Sequence, residues 1–116
     1  MRGVVTKSRD SGNRYGIWIT SREKWGADTS TGALEGTSTI VRNVWTHVAV
    51  VPDGRANIRK LYVNGALEAT GIAAPGDGTG PLWIGGGAST ALWFQGKIDD
   101  VRIFERALSS AEISGL

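Results

Sequence analysis

The stretch WTHVAVVPDGRANIRKLYVNGALEATG, residues 45–71, decides the fold class. It alternates, turns at Asp53-Gly54, alternates again, turns at Asn64-Gly65, and alternates a third time. Successive side chains of a strand point to opposite faces, so this period-two pattern predicts three consecutive strands. Asn-Gly is the strongest short-range hairpin signal, because both central positions of a type I′ turn need positive φ. Residues 45–51 form a nearly continuous apolar run, as in a strand buried on both faces. Trp45 is accordingly assigned to the core.

Outward from this stretch the pattern repeats in shorter pieces. Strands are expected at residues 4–6, 15–21, 25–29, within 33–41, at 82–84, at 92–94 and at 97–104. Residues 8–14 and 74–81 are turn-rich by composition. Ser109-Ser110-Ala111-Glu112 fits a capping box, with Ser109 capping a terminal helix of one or two turns. About nine short strands and one stub of helix predict an all-β, two-sheet antiparallel sandwich.

Composition narrows the function classes. A chain of 116 residues is read as a single domain, residues 1–116, with no repeat of solenoid period. Glycine contributes 17 residues spread along the chain, which suits many tight turns. The net charge is +2, and the 13 Lys and Arg residues are dispersed rather than gathered into a stripe, so no nucleic-acid partner is expected. There is no cysteine, hence no disulfide framework and no thiolate metal site. No apolar run approaches the ~18 residues of a membrane-spanning helix, and no membrane partner is expected. The first residues, MRGVVTKSRD, lack the apolar region of a signal peptide.

Three pieces in order carry a family resemblance: W-x-H-V-A at 45–49, L-Y-V-N-G at 61–65, and G-K-I-D-D-V-R-I-F-x-R-A-L-S at 96–109. Together they resemble the laminin-G-like, concanavalin A-like jelly roll. The resemblance covers residues from about Val4 to Leu116 and implies a jelly-roll sandwich whose concave face binds sugars in some relatives. It also implies an extracellular or cell-surface module of a larger protein, with other domains of that chain as partners. The family pattern normally opens with further strands. This chain is therefore expected to be a fragment or short form, with an unpaired sheet edge beside 97–104 open to self-association or strand addition.

Each candidate site has a structural alternative. Glycanases of related folds need two carboxylates on one strand face. Asp99 and Asp100 are adjacent, so in a strand they point apart, and no E-x-D-x-E strand motif occurs. The chain is read as not an enzyme, with an incomplete glycoside hydrolase as the remote alternative. His47, the single histidine, has no second ligand nearby and is expected to be packed and hydrogen-bonded. The resemblance implies that some relatives hold a structural Ca²⁺ through the aspartate matching Asp99. Asp99 is thus the one metal candidate, against pairing with Arg102 or a backbone amide; no cofactor is required.

The tryptophans carry the ligand expectation. Trp18, Trp25, Trp83 and Trp93 offer amphipathic rings for stacking on a carbohydrate, or for a protein ligand, on the concave face or loop rim. Asn13, Arg14 and Arg22 are close enough in sequence to add hydrogen bonds. Trp18 shares its strand face with Gly16 and Thr20, away from Tyr15, Ile17 and Ile19. That small, polar face fits a binding surface and fits equally a covered second layer.

Overall fold

The computed structural model describes residues 2–7, 15–29, 32–53, 58–72, 80–86 and 93–116. The expected turn at 8–14 and most of the loop at 74–81 lie outside them. Eight strands and one short helix are present: β1 (Arg2–Lys7), β2 (Tyr15–Ile19), β3 (Lys24–Thr29), β4 (Gly32–Thr39), β5 (Val48–Asp53), β6 (Ile58–Val63), β7 (Ala66–Ile72), β8 (Leu82–Ile84) and α1 (Ser110–Ser114). They form two antiparallel sheets, one in the order β4-β3-β2-β1-β8 and one in the order β5-β6-β7. The fold is the all-β sandwich that the alternation predicts.

The three-stranded sheet follows the opening stretch closely. β5 pairs β6 from Val48↔Val63 to Asp53↔Ile58, and β6 pairs β7 around the Asn64-Gly65 turn. Both turn residues have positive φ, 49° and 81°, as a type I′ turn demands. The amide of Asn64 donates to the carbonyl of His47, and the amide of His47 donates to Asn64 Oδ1. This fixes the hydrogen-bonding phase of β5: residues 47, 49, 51 and 53 bond toward β6. Pro52, which has no N–H, falls in the other set.

The two faces of this sheet do different things. Ala49, Val51 and Tyr62 pack with Ile113 of α1 and with Leu108. The capping box is complete, with Glu112 N–H donating to Ser109 Oγ and Ser109 N–H donating to Glu112 Oε2. The helix thus closes the outer face. On the inner face Arg59, Leu61 and Val63 are buried. Leu61 is fully buried, and burying such a side chain is worth about 1.5–3 kcal/mol.

The sheets are stacked in register. β4 lies over β7, β3 over β6, and β2 over β5. β4 and β7 are tied further by Glu68, whose carboxylate accepts the amides of Thr37 and Ser38 at 3.0 and 3.1 Å and the Ser38 hydroxyl. Burial pushes the Glu68 carboxyl up, but the Ser38 and Thr37 bonds outweigh it and hold it below the usual range.

Four expectations are corrected. The described residues 93 and 94 of the strand expected at 92–94 are not in a strand, and residues 97–104 form none either. Their alternating side chains remain while no neighbour supplies a ladder among the described residues, and Val101, Ile103 and Phe104 are exposed. Trp45 is 67% exposed rather than core, because β5 begins only at Val48 and nothing described covers the ring. His47 is likewise exposed; its backbone, not its packing, is what the hairpin uses.

Candidate ligand-binding faces

The larger sheet sorts its side chains by register. Thr6 lies opposite Gly16 and Trp83, and Trp18 lies opposite Gly3 and Gly26. Directly opposed residues share a face, so Thr6, Trp18 and Trp83 stand on one side, with Asp28 two residues beyond Gly26. Val5, Ile17, Ile19 and Trp25 stand on the other. Trp18 and Trp25 are therefore separated by the sheet and cannot grip one ligand together.

Trp18 is 1% exposed, so its ring offers no face for a sugar in this structure. Its indole N–H donates to Asp28 Oδ2 at 2.7 Å. A guanidinium N–H of Arg59, reaching over from β6, donates to the Asp28 carbonyl. Burial lowers the Arg59 pKa, and the Asp28 charge only partly restores it. This buried cluster links the two sheets.

Trp83 and Trp93 are different. They are 42% and 61% exposed. The carbonyl of Gly85 accepts the Phe94 amide at 3.0 Å, which brings residue 93 alongside the end of β8. The Trp93 ring lies directly over Gly86, where an added Cβ would stand 3.2 Å from Trp93 Cδ1. The Thr6 hydroxyl donates to the Gly86 carbonyl at 3.0 Å and holds this corner in place. Trp83 thus lies within β8, and Trp93 beside Gly86, two residues beyond the strand's end.

The remaining candidates are dispersed. Arg22 sits in the β2–β3 turn and pairs with Glu35 at 3.4 Å. The Thr20 hydroxyl lowers the Glu35 pKa most, with Arg22 and Lys24 adding to it. Asn13 and Arg14 lie outside the described residues. Asp99 is exposed, and its Oδ1 accepts the Asp100 amide at 2.8 Å. Arg102 pairs with Asp100 instead, through two bonds of 2.9 and 3.0 Å. Asp100 has φ of 52°, so the Asp99-Asp100 pair is not in strand conformation. Calcium takes six to eight oxygens. Among the described residues no cluster of three or more His, Asp or Glu side chains could hold a metal ion. Asp99 by itself supplies at most two of those oxygens.

A groove of about 2190 Å³, lined by both apolar and charged side chains, opens on the other face of the larger sheet. Val5, Ile17, Ile19 and Trp25 form its floor, while Val48 and Val50 of β5 form one wall. Its lining also includes Phe94, Ile98 and Phe104. None of Trp45, Val48, Phe94 or Phe104 stands out in the sequence as a site residue. The signal available was the same alternation that suggested core.

Residues 1–114 match the laminin G model of the concanavalin A-like lectin/glucanases superfamily. The chain belongs to that superfamily. Its two antiparallel sheets with a short terminal helix are a concanavalin A-like sandwich. This concanavalin A-like domain is also similar to a crystal structure of residues 221–444 of an S-layer domain-containing protein from Clostridium thermocellum. The two share 28% sequence identity with a TM-score of 0.56, over 91% of this chain and 58% of that one. The domain therefore spans little more than half the length of that solved chain.

Proposed function

We propose that this chain is a non-catalytic binding module of an extracellular or cell-surface protein, taking a carbohydrate or protein ligand at the Trp83–Trp93 corner. The observation that carries the reading is the exposure of two indoles, Trp83 within β8 and Trp93 beside Gly86 just after it. An exposed indole presents apolar area with an N–H at its edge, the combination that a pyranose ring or an aromatic side chain uses. Membership of a superfamily of lectins and glucanases, and similarity to a part of an S-layer domain-containing protein, support an extracellular setting.

The pairing of several described carboxylates supports a non-catalytic reading. Glu23 pairs with Arg42 at 2.7 Å, Glu35 with Arg22, and Glu112 with Arg106 and the helix cap. Glu68 clamps β4, and Asp28 is taken by Trp18. An acid and a nucleophile flanking one bond need two carboxylates free to face it.

A glycan array tests the proposal. The wild-type chain is expected to retain a set of glycans that both Trp83→Ala and Trp93→Ala lose, with thermal stability unchanged. Retention of the same set by both variants would sink the corner as the ligand site. Release of reducing sugar from a retained glycan would sink the non-catalytic reading.

A further inference from the structure

The sequence holds four asparagines, at positions 13, 43, 57 and 64, and only Asn64 precedes a glycine. The others precede Arg14, Val44 and Ile58. A carboxamide beside a glycine carries a latent reaction. The glycine nitrogen, once deprotonated, attacks the asparagine Cγ, and no side chain on the glycine obstructs the approach.

The hairpin decides whether this reaction runs. Asn64 and Gly65 are the central residues of the turn between β6 and β7, and Asn64 is exposed. Val63 and Ala66 close the turn as a ladder pair. Gly65 falls outside the ladder, and its N–H makes no hydrogen bond among the described residues. The nucleophile is therefore free, but the carboxamide is not. Asn64 Oδ1 accepts the His47 N–H at 2.9 Å, while the Asn64 N–H donates to the His47 carbonyl at 2.8 Å. Val48 pairs with Val63, so these bonds extend the β5–β6 ladder by a rung. They hold the carboxamide sideways toward β5, whereas the Gly65 nitrogen lies along the chain toward β7. Attack needs the reacting atoms about 3–3.5 Å apart and aligned. A donor on Oδ1 also polarises Cγ, but this helps only a nucleophile already in line.

We propose that Asn64-Gly65 is a self-modification site gated by the His47 clamp: when the hairpin opens, the chain converts Asn64 to aspartate and isoaspartate. Hydroxide takes the Gly65 N–H proton, the nitrogen bonds Cγ, and the Cγ–Nδ2 bond breaks as ammonia leaves with a proton from water. Water then opens the five-membered imide. Addition at Cγ breaks the new bond and leaves aspartate. Addition at the main-chain carbonyl breaks the original peptide bond and leaves isoaspartate, with the chain running through Cβ and Cγ. Nothing is oxidised or reduced. Either product adds a negative charge, so the net charge of +2 falls by one. Isoaspartate puts an extra methylene into the main chain of a two-residue turn, which then loses the type I′ geometry. The site is thus a one-way record of hairpin opening, and it does not depend on the Trp83–Trp93 corner.

The test incubates the 116-residue chain in mildly alkaline buffer, with and without guanidinium chloride. The tryptic peptide that begins at Leu61 is followed by mass and by isoaspartate content. Conversion is expected at Asn64 ahead of the other asparagines, and at least about tenfold more slowly in native buffer than in denaturant. His47→Pro removes the donor N–H, keeps the carbonyl acceptor and lies just before β5 begins. It is expected to raise the native rate at least about threefold and to leave the denatured rate unchanged. A second measurement needs no variant: sub-denaturing guanidinium should raise the conversion rate and the exchange rate of the His47 amide by the same factor. Equal rates in native buffer and denaturant, faster conversion at another asparagine, or a His47 amide whose exchange does not follow the conversion would overturn the proposal. So would a folded His47→Pro that converts no faster than wild type.

Discussion

The indole Nε1 of Trp18 donates to Oδ2 of Asp28 at 2.7 Å inside the protein, from β2 to β3. The bond explains why a tryptophan sits on a face whose other residues are small. Gly3 and Gly26 flank it across the register, and an added Cβ on Gly16, two residues back on β2, would stand 3.0 Å from the same Nε1. Trp18→Phe leaves the carboxylate short of one buried donor. A loss of about 1.5–3 kcal/mol is expected by urea denaturation, the scale of a hydrogen bond to a charged group. Trp18→Ala adds a cavity and should cost about 3–5 kcal/mol. Lost ligand binding in that variant would then report unfolding rather than stacking.

Gly36 lies where β4 meets Glu68 of β7. A Cβ there would stand 2.5 Å from Glu68 Oε2 and 3.3 Å from Leu61 Cδ2. The carboxylate cannot swing away without releasing the Thr37 and Ser38 amides. Gly36→Ala is expected to destabilise by about 1–3 kcal/mol, and Gly36→Ala combined with Glu68→Ala by less than the sum of the two. A double-mutant cycle in urea measures the difference; strict additivity would contradict the contact.

The Asn64-Gly65 turn sets the phase of the whole smaller sheet. Gly65 has φ of 81°, in the region that a Cβ disfavours. The atoms nearest an alanine side chain there are those of Ser114, at 3.5 Å or more, so the cost is conformational rather than steric. Gly65→Ala should lower stability by about 1 kcal/mol, while Gly65→Asn should cost clearly less, since asparagine tolerates this region. Equal losses for the two would show that φ is not the cause.

The helix cap makes stability depend on acid. The Arg106 guanidinium and the Ser109 amide lower the Glu112 carboxyl from 4.5 to about 2. The unfolded chain therefore takes up a proton before the folded one does. The stabilisation is complete above the unfolded value, 4.5, and is lost as pH falls toward and through about 2. Glu35 and Glu68, also lowered, act with the same sign. Melting temperature should fall as pH is taken from 5 to 2, and less steeply in Glu112→Gln, which keeps a polar cap without a titrating group. Identical slopes would remove the cap from the acid response.

Much of the architecture was legible because it is local. The hairpins from Val48 to Ile72 follow from alternation and one Asn-Gly pair. The Ser109–Glu112 box lies within a single turn. What could not be read is what stands opposite a strand. Alternation marks 97–104 as half-apolar, yet Val101, Ile103 and Phe104 are exposed because no layer among the described residues covers them. Trp45 was assigned to the core for the same reason. At the binding face, Trp18 and Trp83 share a side by register, but only the fold reveals that one is buried and the other exposed. The Arg59–Asp28 contact joins residues 31 apart, beyond any local signal.

The stacked but unequal sheets are tested most directly by amide hydrogen exchange along β5 in the free chain. Ala49 and Val51, bonded toward β6, are expected to exchange slowly, while Val48 and Val50, facing the groove, exchange rapidly. Uniform protection of all four amides would mean that β5 is not an edge, and uniform rapid exchange would mean that the β5–β6 ladder is absent; either result contradicts the two-sheet account.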